Sequence, residues 1–329
     1  MPINFIGNTM PTPRLITGWH SFDQAFENLQ SHEIGFPLRG LVEIYGQPMS
    51  GKTSLAMSLS AKIALSKDPK KPSAISIADI EGTPTELFRT VLEFAGYENG
   101  TVYLHNEGVD EDNLDEMLDD VESGMATVGI LDSLGAVSPI AEVQGTLKDA
   151  NMGRRALVAA KFSRRVLRHF REQGKEGDVI IFTNHVQQII GGMGSTTPGG
   201  DAKKYACKVR MGIKRTTMLG KKKIEIPDNI GWLIEGTVAK NSNGVSGRGF
   251  SLFVIGGKGV HSGLTAVFDC VRYKLATFER TIKLGDESMG YLRDMMDEKY
   301  NFKPFHQALS TVKVDDTVLP EQEEEKQDE

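Results

Sequence analysis

Gly46-Gln47-Pro48-Met49-Ser50-Gly51-Lys52-Thr53 is the stretch of this 329-residue chain whose residue types and order most directly define a chemistry. The pattern GxxxxGK[ST] lets glycines turn backbone N–H groups toward phosphate oxygens. Lys52 then reaches the β- and γ-phosphates, and the Thr53 hydroxyl ligates Mg²⁺. Ser54 continues into the helix whose N-terminal dipole favours the anion. The ligand implied is ATP with Mg²⁺.

Two carboxylates extend this set. Asp132 ends the apolar run Val128-Gly129-Ile130-Leu131. A carboxylate at the end of a buried strand can hold Mg²⁺ through water, although Asp132 could instead cap a following helix. Glu81 follows a second such run, Ile75-Ser76-Ile77-Ala78-Asp79. The carboxyl edge of a parallel sheet is where ligands bind, so Glu81 is the candidate to orient the water that attacks the γ-phosphate. The alternative is that Glu81 or Asp79 caps a helix starting near Pro84.

The elements that must position these residues alternate. Strands are expected at 41–45, 74–79, 127–131 and 178–183, all short, Val/Ile-rich and without polar alternation, as strands buried on both faces read. Helices are expected at 52–65, 84–95, 111–122 and 153–172. This rhythm predicts an α/β fold, a P-loop NTPase core with a mostly parallel twisted sheet flanked by helices. After 205 the segments 206–215, 230–239 and 250–256 read as strands extending the sheet in antiparallel fashion, and 269–310 returns to helical patterning. The expected organisation is a short N-terminal segment (1–14), a core (15–268), a small C-terminal subdomain (269–316) and a disordered acidic tail (317–329).

Net charge is −6, but charge is segregated: 106–122 and 315–329 are acidic, 154–171 and 203–223 basic. Local patches decide whether a phosphate backbone is attracted. On helix 153–172, Arg154, Lys161, Arg165 and Arg168 share one face opposite an apolar stripe of Ala159, Phe162, Val166 and Phe170. That face can neutralise phosphates without reading sequence; the other readings are a solvated face or a subunit contact. Lys221-Lys222-Lys223 reads as a hairpin tip. Cys207 and Cys270 are in no metal or redox spacing, which fits a reducing compartment. With no 18-residue apolar run and no secretory signal, a cytoplasmic location and no membrane partner are expected.

With these residues in hand, the chain resembles the RecA-type recombinases over about residues 15–263. Ile16-Thr17-Gly18-Trp19-His20-Ser21-Phe22-Asp23 is similar to the family's lead-in. The stretch Leu38-Arg39-Gly40-Leu41-Val42-Glu43-Ile44-Tyr45 runs into the phosphate loop as in the family. The resemblance implies that Glu81 is the catalytic glutamate and that Phe88, seven residues on, stacks on adenine. It makes Leu131-Asp132-Ser133 the Walker B strand and His185, after Ile181-Phe182-Thr183-Asn184, the nucleotide-sensing residue. Many members have Gln there, and some phage members His.

The same resemblance implies two DNA-binding loops. The first is bracketed by Ser138-Pro139-Ile140-Ala141-Glu142 and Asn151-Met152-Gly153, with Arg154 and Arg155 at its border. The second runs from Gln187 to Gly200 and ends Ser195-Thr196-Thr197-Pro198-Gly199-Gly200. Lys240 matches the first of two lysines that sense the γ-phosphate across a subunit interface. Ser242 stands at the second, with Arg248 the nearby candidate to replace it. The implied activity is a DNA-dependent ATPase and recombinase that forms a homo-oligomeric filament on single-stranded DNA and pairs it with homologous duplex. Single-strand-binding and loader proteins are the further partners. A RecA-fold accessory ATPase without strand exchange is the alternative.

Overall fold

The computed structural model describes residues 12–143, 153–172, 177–188, 195–219, 224–226, 230–278, 281–297 and 299–312. Asn151, Met152, Lys221-Lys222-Lys223, the tail 317–329 and residues 1–11 of the N-terminal segment lie outside them.

The apolar runs become the strands of one nine-stranded sheet: β1 Gly40–Gly46, β2 Ile75–Asp79, β3 Val102–His105, β4 Val128–Asp132, β5 Val179–His185, β6 Val209–Thr216, β7 Trp232–Asn241, β8 Gly249–Ile255 and β9 Gly259–Val260. Their spatial order is β9-β8-β7-β6-β1-β5-β4-β2-β3. The six strands from β3 to β6 pair in parallel, and β7, β8 and β9 add antiparallel. The α/β expectation holds, with one correction. The strand after 205 is parallel to β1, and only its successors reverse.

The helices are α1 Lys52–Leu65, α2 Thr85–Phe94, α3 Asp110–Ser123, α4 Arg154–Glu172, α5 Gly200–Ala206, α6 Ser262–Arg272 and α7 Lys303–Leu309. They cover both faces of the sheet, which is why the strands carry no polar alternation. Leu55, Met57, Leu59, Phe88 and Val91 of α1 and α2 join Ile44, Ile77, Ile130 and Ile181 in one core layer. Leu114, Met117, Leu118, Phe162 and Val166 of α3 and α4 join Leu41, Leu131, Ile180 and Phe182 in the other. Truncating one of these side chains to Ala would cost about 2–5 kcal/mol.

Ahead of β1, a short helix His20–Ala25 brings Phe22 against Phe26 and Phe250, with ring centroids 4.9 and 5.0 Å apart. The helical expectation for 269–310 is overturned in part. Ala276–Phe278, Ile282–Leu284 and Glu287–Gly290 form an antiparallel three-stranded sheet, turning at Gly285. Three strands of three or four residues are too short for a period of 2 to stand out from one of 3.6. Helix α6 runs across the expected boundary at 268, and Phe268 stacks on Phe253 at 5.1 Å, so the C-terminal residues share a core with β8.

Candidate nucleotide and nucleic-acid site

Parallel register gathers the chemistry at the carboxyl ends of β1, β2, β4 and β5. Gly46 pairs with His185, and Asp79 with Asp132. The phosphate loop leaves β1 here. Gly51 closes it at φ +94°, a left-handed conformation that glycine adopts without strain, and caps α1. Met49, at φ +60° and 79% exposed, holds the loop tip in a conformation that is strained for a side-chain-bearing residue.

Lys52 is 7% exposed and donates to the carbonyls of Gly46 and Gln47 at 3.3 and 2.9 Å. Burial lowers its pKa against the pull of Glu81 and Asp132. The Thr53 hydroxyl donates to Asp132 Oδ2 at 2.8 Å, and Thr183 donates to Oδ1 at 2.5 Å. Burial raises the Asp132 pKa; those two hydroxyls oppose it. Mg²⁺ takes hard oxygen donors and keeps several waters, so it is held by one or two protein groups plus phosphates. A hydroxyl hydrogen-bonded to a buried carboxylate fits that demand.

Glu81 stands beyond this pair. Its Oε1 accepts from the Ser133 hydroxyl at 2.5 Å and from His185 Nε2 at 3.0 Å. Glu81 and His185 side chains are each about one-third exposed, 35% and 33%. A carboxylate held by two donors, yet open to water, can orient a nucleophile. The N-cap of α2 is Pro84, which makes no side-chain capping bond. Phe88 is 3% exposed and part of the core, and it lines a cleft with Thr85, Leu92, Tyr97 and Leu104.

The described ends of the two loop regions lie near this edge. Gln187–Gln188 pairs antiparallel with Ser195–Thr196, forming the stem of the second loop; 189–194 lie outside the described residues. Thr197 is buried, and Gly199 and Gly200 take φ +98° and +71°. At the first loop, Gly153 has φ +87°, and Arg155 reaches Glu142 at 3.2 Å across the loop's mouth. Arg154 opens α4, half-buried.

The shared basic face of α4 divides. Arg165 bonds Asp115, Asp119 and Glu122 of α3, and its bonds to Glu122 and Asp119 raise its pKa. It is a seam between two helices rather than a surface for phosphates; the sequence placed it on the basic face because the acids that meet it come from another helix. Lys240 donates to the carbonyls of Lys204 and Tyr205 at 2.8 and 3.1 Å. Arg248 is engaged by Glu27 and the Gln24 carbonyl, which argues against its standing in for the second lysine.

Sequence reasoning missed Ser133 and Thr183 as anchors of Glu81 and Asp132. It also missed a buried network in which Glu43 Oε1 accepts from Lys203 at 2.7 Å and from Asn184 at 3.0 Å, while Oε2 accepts from Arg210 at 2.5 Å. The available signal was a polar residue inside an apolar strand: Glu43 in LVEIY, Thr183 and Asn184 in VIIFTNH.

Residues 17–261 match the family model described as the RecA N-terminal domain. Protein RecA of Nostoc sp. is 29% identical over 229 residues, covering 69% of this chain and 60% of that protein. Protein RecA of Arthrospira platensis is 30% identical over 229 residues, 69% of this chain and 59% of its own. Protein RecA of Nitratiruptor sp. is 30% identical over 212 residues, 60% of this chain and 55% of its own. The chain thus spans 55–60% of the length of these curated relatives.

Proposed function

Because this chain belongs to the RecA family, we propose that it is a DNA-dependent ATPase that polymerises on single-stranded DNA and catalyses homologous pairing and strand exchange. Residues 46–54 wrap the triphosphate, with Lys52 on the β- and γ-phosphates. Mg²⁺, held by Thr53 and by Asp132 through water, would neutralise phosphate charge when bound. Glu81 orients the attacking water, and Ser133 and His185 hold Glu81. Phe88 is the adenine contact carried over from the resemblance, and Lys240 the interface lysine. Asn151, Met152, Gly153, Arg154 and Arg155 take the strand at the first loop. Ser195, Thr196, Thr197, Gly199 and Gly200 take it at the second. Pairing specificity comes from base complementarity, the protein contributing backbone contacts that carry no sequence information.

The observation that best supports this reading is at the end of β5. His185 bonds Glu81 at 3.0 Å, and the adjacent Asn184 donates to the Pro198 carbonyl of the second loop at 3.1 Å. A group beside the γ-phosphate and a strand-binding loop are therefore two bonds apart, the arrangement that linked binding needs. Electron microscopy with single-stranded DNA and a non-hydrolysable ATP analogue tests it. Long helical filaments, followed by strand exchange in a joint-molecule assay, are expected. Discrete rings would instead indicate a translocating motor. A second reading, an accessory ATPase without strand exchange, is favoured by Ser242 at the second lysine position together with the engagement of Arg248 by Glu27. Filaments that form no joint molecules would select it.

A further inference from the structure

The buried network behind β1 contains one cation too many. Glu43 is on the same strand face as Leu41, inside the layer under α4, and its side chain is fully buried. The neighbouring strand β6 pairs Arg210 directly opposite, and the two side chains already form an ion pair. Lys203 on α5 then adds a second cation, also fully buried, at 2.7 Å. Removing an ammonium from water costs several kcal/mol, and a buried ion pair is weak evidence of stabilisation. Arg210 alone would have balanced the charge, so stability gives little reason for Lys203.

Its other contacts suggest one. Lys203 Nζ also donates to the Thr197 hydroxyl, and its stem fills the space beneath Gly199, where a Cβ would lie 3.1 Å from Cδ and Cε. Glu43 Oε1, which accepts from Lys203, accepts as well from Asn184, and Asn184 donates onward to Pro198. Gly135, just past the Asp132 strand, lies against Asn184, His185 and Pro198. The segment Thr197-Pro198-Gly199 is thus tied through one carboxylate oxygen to the strand end that carries His185.

We propose that Lys203 is a positioning residue: a clamp that makes the end of the second loop move as one body with the end of β5, so that nucleotide occupancy at the phosphate loop is felt at residues 195–200. It touches neither nucleotide nor reacting atoms. The inference rests on the nucleotide-binding part of the function proposed above but needs no DNA to be tested.

Hydrogen–deuterium exchange on the full chain, with and without Mg²⁺ and a non-hydrolysable ATP analogue, reads two peptides separately, 46–53 and 195–200. In the wild type both are expected to become protected. In Lys203→Met, protection of 46–53 should persist while the nucleotide-induced change at 195–200 falls by roughly 5–150-fold, the range of ordinary coupling between sites. Thr197→Val removes the hydroxyl from the other end of the clamp and should give the same selective loss, and Thr197→Ser should restore the response. Thr197→Val also carries the test if Lys203→Met does not fold. A response at 195–200 that survives both variants overturns the clamp, as does a wild type in which 46–53 responds and 195–200 does not. A wild type in which neither responds overturns the nucleotide reading itself, and the clamp with it.

Discussion

Two polar clusters lie close together, one at the carboxyl edge of the sheet and one behind the middle of β1, and they differ in their access to water. Glu81 and His185 are open, each about a third exposed, and are joined to a buried Ser133. Glu43 and Lys203 are sealed, both at zero exposure, with Arg210 and Asn184 around them. In the open cluster a carboxylate can meet a water or a phosphate and change partners. In the sealed one each bond is strengthened by the low local dielectric, and each lost partner is costly. Placing the two on adjacent strands separates the task of reacting from the task of holding shape.

The sharpest way to break this comparison is Glu81→Gln. It keeps size and an acceptor for Ser133 but removes the charge proposed to orient water. A fall of about 10²–10⁴-fold in kcat for hydrolysis, with nucleotide affinity unchanged, is expected in steady-state assays and binding titrations. Hydrolysis at the wild-type rate would move the water-positioning role to another residue. The sealed cluster should respond in stability instead. Glu43→Leu leaves Lys203 and Arg210 buried without an anion, so urea unfolding should show a loss of about 3–5 kcal/mol. Lys203→Met leaves Glu43 paired with Arg210, so its loss should be smaller than that of Glu43→Leu. Equal losses from the two substitutions would mean that Lys203 serves stability after all.

How much of this was legible beforehand follows from the same division. Four of the six parallel strands announced themselves, because a strand covered on both faces must be apolar throughout, and these were bounded to within a residue or two; a fifth, read at 206–215, was expected to run antiparallel. Val102–His105 was missed: it is an edge strand, four residues long and only half-covered, so its apolar signal is weak. Gly46 to Thr53 was legible because phosphate binding dictates a contiguous spacing. Lys203 was not, since a lysine in the run Lys203-Lys204 looks solvated until the fold buries it and leaves its neighbour half-exposed beside Asp201. The acids that neutralise Arg165 were equally invisible, coming from a helix about 45 residues earlier.

A third set of buried acids sharpens the comparison through pH. Asp23 and Asp269 lie between the N-terminal helix and α6. Burial pushes Asp23 up to about 6, and burial pushes Asp269, which accepts from the Ser21 N–H at 2.9 Å, up to about 7. For Glu43, burial raises the pKa, but Lys203 and Arg210 outweigh it and leave it below its ordinary 4.5. The signs therefore oppose. Glu43 contributes stability above pH 4.5 that is lost on acidification below it. Asp23 and Asp269 hold protons that the unfolded chain has released, so stability falls as pH rises from about 4 through 7. In Asp269→Asn the decline between pH 4 and 7, followed by thermal melting, should become shallower while the acid-side loss remains. An unaltered slope would mean that Asp269 does not carry this titration.

The smallest expected effects lie along α4, where the same comparison recurs within one helix. Arg165 is spent on three acids of α3, whereas among the described residues Arg155 meets the half-exposed Glu142 across the first loop. Exposed ion pairs contribute about 0–1 kcal/mol, so Arg165→Ala should lower stability by about that much per pair and leave DNA affinity and its salt dependence alone. Arg155→Ala should hardly change stability, because its one pair is exposed, but it should reduce the slope of log affinity against log salt for single-stranded DNA by roughly 0.7, the share of one phosphate contact. If instead the two substitutions changed the salt slope equally, the division of the helix into a structural end and a DNA-facing end would collapse, and the acids of α3 would have to release Arg165 when the strand binds.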